Sequence, residues 1–167
     1  MMRNKKNIII ISFAVLAGVL VGYYFTFNQG EQTAGPSQTG SLIARESFYD
    51  FGEILMQNGK VEHNFEIQNT SQSPVKIEKI YTSCMCTEAF LEINGKEKGP
   101  FGMPGHAGAS RANITVNGGE TAVFKVVFDP AAHGPAGIGL MERTAYIETD
   151  SEETPQTQID IRAVVNN

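Results

Sequence analysis

The sequence predicts an immunoglobulin-like antiparallel β-sandwich of about seven strands, preceded by one N-terminal transmembrane helix. Three observations carry this expectation. Segments such as VEHNFEIQN alternate apolar and polar residues with period 2, the mark of a half-buried strand. Short runs rich in Gly, Asn, Asp and Pro separate those segments at the spacing of tight reversals. A single uncharged apolar stretch, IIIISFAVLAGVLVGYYFTF, fills residues 8–27, and nothing after it keeps a period of 3.6.

The elements follow in chain order. Residues 1–7, MMRNKKN, form a basic cytoplasmic tip. The next 20 residues are long enough as a helix to cross the roughly 30 Å hydrocarbon core of a bilayer. Arg3, Lys5 and Lys6 hold the preceding end in the cytoplasm, and Tyr23 and Tyr24 fall where an aromatic belt belongs. A cleaved signal peptide would have a shorter apolar region and a small-residue cleavage site, which YYFTFNQG lacks. The expectation is therefore an uncleaved signal anchor in the cell membrane, single-pass, with the C-terminal part outside the cytoplasm.

Residues 28–44, NQGEQTAGPSQTGSLIA, read as a flexible linker, and residues 45–167 as one extracytoplasmic domain large enough to bury a core. Three of the 13 basic residues precede the anchor and all 18 acidic ones follow it, so the exported part carries a net charge near minus eight. That charge repels nucleic acid and anionic headgroups, so no nucleic-acid partner is expected.

Within the domain, strands are expected at Phe48–Ile54, at VEHNFEIQN with Val61, His63, Phe65 and Ile67 inward, at Val75–Tyr81 and at Met85–Ile93. Further strands are expected at TAVFKVVF with Ala122, Phe124, Val126 and Phe128 inward, at Arg143–Thr149, and at TQIDIRAVV with Ile159, Ile161, Ala163 and Val165 inward. Residues 94–119 read as a long Gly-rich insertion between two strands, a kind of loop that is functional or disordered when it occurs in a compact domain. There is no Trp, and the two cysteines are too close in sequence for an inter-sheet disulfide, so Phe, Ile and Val packing must hold the core.

Both thiols lie in TSCMCTEAF, at Cys84 and Cys86. In a strand they would share a face and make one sulfur patch, with Met85 turned into the core. Thiolates, thioethers and imidazoles are ligands for soft ions. The sequence offers Cys84 and Cys86 with Met103 and His106 in PFGMPGH and His133 in DPAAHGPAG, while Met141 and His63 are more distant possibilities. His63, on the apolar phase of its strand, reads as a core histidine bonded to backbone. Four Cys or His ligands at C-x(2–4)-C spacing would indicate structural zinc; a one-residue gap fits that poorly, so Cu(I) ranks above zinc. A disulfide between the two cysteines would need a local turn, because alternate Cα atoms of an extended strand stand near 7 Å apart. Such a bond would be labile and redox-active.

The segments FYDFGEI, KVEHNFEIQNTSQSPVKIEKIYTSCMCT, GGETAVFKVVFDP and TQIDIRAVV together resemble a widespread uncharacterised bacterial family, the domain of unknown function fifteen seventy-three. The resemblance spans roughly residues 45–165, and TSCMCT is similar to that family's T-S-C-G-C-T. It implies a sandwich related to those of major sperm protein and hydin. This chain departs from the pattern with Met85 in place of Gly and with the insertion after Cys86.

No nucleophile elbow, zinc-protease helix or phosphate loop is present, so the expectation is a binding protein and no enzyme. The leading reading is a membrane-anchored domain whose Cys84, Cys86, His106, His133 and Met103 bind or hand over a soft metal ion such as Cu(I). The alternatives are an envelope protein-interaction module recruiting partners along strand edges, and a thiol redox protein using Cys84 and Cys86.

Overall fold

The computed structural model describes residues 40–106 and 110–167. The expected cytoplasmic tip, the expected transmembrane helix and residues 28–39 of the expected linker lie outside the described residues. Among those described, no helix is long and apolar enough to cross a membrane.

The strands are β1 (Leu42–Ala44), β2 (Phe48–Leu55), β3 (Val61–Asn69), β4 (Val75–Thr82), β5 (Thr87–Ile93), β6 (Lys96–Phe101), β7 (Arg111–Val116), β8 (Thr121–Phe128), β9 (Gly139–Thr149) and β10 (Gln156–Asn166). They form two five-stranded sheets, in the orders β1-β3-β8-β5-β6 and β2-β10-β9-β4-β7. The core between them follows the alternation read from the sequence. Phe65, Ile67, Phe124 and Val126 of the first sheet and Ile77, Ile147, Ile159 and Ile161 of the second are all buried.

All seven expected segments are strands, and three more join them. β1 lies in residues read as the end of the linker; Leu42 is 1% exposed in the core, and the β1 register against β3 sets Leu42 opposite Asn69. Three residues are too few for a visible period, which is why the sequence did not mark them. The supposed insertion at 94–119 contains β6 and β7. Asn94 and Gly95, at φ 52° and 71°, make the two-residue turn from β5 into β6, since a type I′ hairpin needs φ above zero at both positions. β6 is exposed along nearly its whole length and has no apolar period, whereas RANITV of β7 alternates plainly, with Ala112, Ile114 and Val116 inward.

The pairing is antiparallel except between β2 and β10, which run parallel, a correction to the all-antiparallel expectation. There two residues of β2, Phe51 and Gly52, oppose Ala163 alone, and the bulge sets Gly52 at φ 69°. His63 is no backbone-bonded core residue. Its ring stacks on Tyr49 at 3.6 Å between centroids, and its Nε2 meets Glu46 Oε1 at 2.5 Å.

Two crossovers from one sheet to the other meet at one end of the sandwich. One is the reversal from β4 to β5, the other the connection from β8 to β9, and the candidate site lies between them.

Candidate metal and thiol site

Residues Ser83–Cys86 form a turn where a strand beginning at Met85 was expected, and the Thr87 N–H donates to Cys84 O at 3.2 Å to close it. The turn sets the two Sγ atoms 3.0 Å apart, which extended geometry would forbid. It also puts Met85 at its tip, 51% exposed, so Met85 does not fill the core.

Each polar residue of TSCMCT fixes this geometry. The Thr82 hydroxyl, 1% exposed, lies within 3.0 Å of Cys84 O and 2.9 Å of Thr87 O, tying the two arms together. The Ser83 N–H donates to Thr144 O and the Ser83 hydroxyl accepts from the Thr144 N–H, at 2.8 and 3.0 Å, which pins one arm to β9. The other arm hangs from the end of β8, where the Asp129 N–H donates to Cys86 O at 2.8 Å. A turn bonded to both sheets holds its thiols without help from a disulfide, and both cysteines are free.

His133 arrives on the β8–β9 connection. Asp129 Oδ1 accepts from the Ala131 N–H, and a short 3-10 turn at Gly134–Gly137 follows the histidine. Gly137 packs beside the histidine: a Cβ there would stand 3.3 Å from Pro130 O and 3.4 Å from His133 Cβ, so a larger residue fits only if the connection gives by a few tenths of an ångström. His133 Nε2 then reaches Cys84 Sγ at 3.1 Å. The donor atoms of Cys84, Cys86 and His133 all fall within 4.8 Å of one another.

Arg143 completes the arrangement. Its Nε donates to Cys86 Sγ and its Nη2 to Met141 Sδ, both at 3.1 Å. Ser83, Cys84, His133, Gly137, Met141 and Arg143 line an open cleft of about 530 Å³. Burial pushes the Cys84 pKa up, but hydrogen bonds from the Cys86 thiol and N–H and from His133, with the charge of Arg143, outweigh it and bring the pKa from 9.0 down to about 7. Burial, followed by the neighbouring Cys84, raises Cys86 despite its bond from Arg143. The negative charge that the pair takes up as pH rises through neutrality is therefore centred on the more exposed Cys84 and supported by the Cys86 S–H.

Of the five residues expected at the site, the structure brings together Cys84, Cys86 and His133. Met103 and His106 sit in the turn after β6, where the His106 N–H donates to Met103 O, and neither lines the cleft. Sequence reasoning missed Arg143 and gave Met141 only as a distant possibility. A signal was available: in MERTAYIET the core phase of β9 runs Met141, Arg143, Ala145, Ile147, and a cation on that phase needs an anionic or soft acceptor.

The ionisation of Cys84 gives a direct expectation. Iodoacetamide labelling of Cys84 in the reduced protein should rise through a midpoint near pH 7, and Arg143→Gln should move that midpoint upward. A parent midpoint near the ordinary 9.0 would contradict the arrangement. The linked stability has a sign. The contribution of Cys84 is full above 9.0 and lost as pH falls through about 7. The contribution of Cys86 is full below 9.0 and lost as pH rises through its elevated value.

Fold and site together define an all-β sandwich with a paired-thiol cluster at one end. Residues 42–100 match DUF1573, a family described as a protein of unknown function, so the matched part contains the cysteine turn while His133, Met141 and Arg143 lie beyond it. No curated protein matches the chain. Among solved structures, a protein of unknown function from Porphyromonas gingivalis W83 superposes with a TM-score of 0.58 at 14% identity, over 81% of this chain and 51% of that one. A family 123 glycoside hydrolase from Clostridium perfringens superposes with a TM-score of 0.54 at 7% identity, over 77% of this chain and 27% of that one. The chain thus spans about half the length of the first and about a quarter of the second. Identities this low show the shared fold alone.

Proposed function

We propose that this domain binds one soft metal ion, Cu(I) before zinc, through Cys84, Cys86 and His133, and holds it for handover at the cell envelope. The carrying observation is the convergence of those three donor atoms within 4.8 Å, from two crossovers, at an open cleft. Charge balance favours the monovalent ion. Two thiolates and Cu(I) make a unit of charge minus one, which the guanidinium of Arg143 neutralises, whereas Zn(II) would leave the arginine facing a neutral unit. Structural zinc also calls for four Cys or His ligands. At a metal–sulfur distance of about 2.3 Å, two tetrahedral thiolates stand about 3.8 Å apart. Coordination therefore opens the Sγ pair from 3.0 Å and releases the Cys86 proton.

Handover is supported by the rim. Met85, Ile138 and Leu140 are 51%, 44% and 61% exposed on the segments that carry the site, giving a protein partner apolar surface beside the ion. Three of the four strand edges invite a partner less: β1 has three residues, β6 carries Lys96, Lys98 and Pro100, and β2 has its bulge, all features that discourage edge pairing. The apolar run at 8–27 supports anchoring in the membrane with the site outside the cytoplasm.

The test is a titration of the reduced full chain with Cu(I) against a chromogenic chelator. One equivalent bound in competition is the expected result. Failure to compete removes the metal reading.

A second reading rests on the unbonded Sγ atoms at 3.0 Å: the turn makes a thiol–disulfide couple geometrically accessible. The Cys84 thiolate attacks a disulfide of a protein or small thiol, releasing one thiolate. The Cys86 thiol then displaces the second, closing a Cys84–Cys86 bond as its proton leaves. Equilibration with oxidised glutathione should give a protein lighter by two hydrogens. A stable mixed disulfide would end this reading.

A further inference from the structure

We infer that Met141 is a further ligand of the ion and makes the site selective for Cu(I) over Zn(II), with Arg143 holding its sulfur beside the cysteines until the ion enters. This assignment rests on the metal reading above and adds its specificity.

Two donors of one guanidinium bridge two sulfurs, Nε to Cys86 Sγ and Nη2 to Met141 Sδ, each at 3.1 Å. The guanidinium is planar and its donors form a fixed fork, so it dictates the placement of both acceptors. A thioether is a weak acceptor, and an arginine bonded to one at that distance marks a cation position beside the sulfur. Met141 and Arg143 share the inward phase of β9 above Ala145 and Ile147, at the open end of the sandwich, and Met141 lines the same cleft as Cys84 and His133. Its unbranched side chain has three rotatable bonds and can follow the ion as it enters. Thioether sulfur favours Cu(I) and contributes little toward Zn(II), so a Cys84, Cys86, His133 and Met141 set discriminates by softness where geometry alone would accept either ion.

The experiment compares the full chain with Met141→Leu, which keeps the apolar volume. Cu(I) and Zn(II) affinities are each measured by chelator competition, and sulfur coordination of bound copper by X-ray absorption. Met141→Leu should lower the Cu(I) affinity about tenfold, leave the Zn(II) affinity unchanged and reduce the copper-bound sulfurs from three to two. Unchanged Cu(I) affinity and sulfur count in Met141→Leu overturn the assignment while leaving the three-ligand reading in place. An equal fall for both ions also overturns it, because it would mean that Met141 supports the turn and does not choose the metal. A parent chain that takes up no Cu(I) overturns both.

Discussion

The Cys84→Ser/Cys86→Ser protein is expected to lose competitive Cu(I) uptake altogether, and His133→Ala to lose about a hundredfold in affinity, close to 2.8 kcal/mol. His106→Ala should bind like the parent. The ranking follows from position. The two thiols supply the charge that draws a soft cation, and their 3.0 Å separation leaves an ion in reach of both. His133 Nε2, 3.1 Å from Cys84 Sγ, adds one neutral donor, while His106 stands outside the cluster. Serine preserves the size of cysteine, and the turn is held by Thr82, Ser83 and backbone bonds, so the double variant should keep its fold. Chelator competition on the three variants, with circular dichroism as the fold control, decides the matter. Equal losses in His106→Ala and His133→Ala would contradict the geometry of the site.

Phe124→Ala is expected to cost about 3–5 kcal/mol of unfolding free energy, against a total of roughly 5–15 for a domain of this kind. Phe124 is fully buried on β8, a middle strand of its sheet, with Phe65 of β3 opposite on one side and Leu91 of β5 on the other. Both neighbours are fully buried as well, and their backbones are fixed in the ladder, so the cavity has little means of collapsing. Urea denaturation of the reduced protein should show the loss as a lower midpoint with the slope unchanged. A loss below about 1 kcal/mol would mean that the two sheets are not packed tightly at this layer.

The fold was largely legible because its strongest strands obey a simple period. β3, β8 and β10 each present alternate apolar residues to one core, and the side-chain period of a strand leaves little choice of face. Where the fold was misread, the local signal was weak or was overruled. β6 lies along an edge with residues 96–100 exposed and buries Phe101 alone, so no period was written into KEKGPF. β7 carried a clear pattern in RANITV, yet it was hidden within a stretch whose glycines suggested a loop. The parallel pairing of β2 with β10 joins segments more than a hundred residues apart, and no local feature reports such a partner.

The site divides in the same way. The sequence by itself determined which soft donors the chain possesses, that two of them are neighbours, and that turn-forming residues surround His106 and His133. Only the tertiary structure decided that Cys84 and Cys86 lie on a turn, that His133 and not His106 joins them, and that Met141 and Arg143 face the pair. The physical reason is that ligand geometry depends on where crossovers of different sheets meet. Backbone bonds from Thr144 and Asp129 fix that meeting point, and the chain order of β4, β5, β8 and β9 does not reveal it.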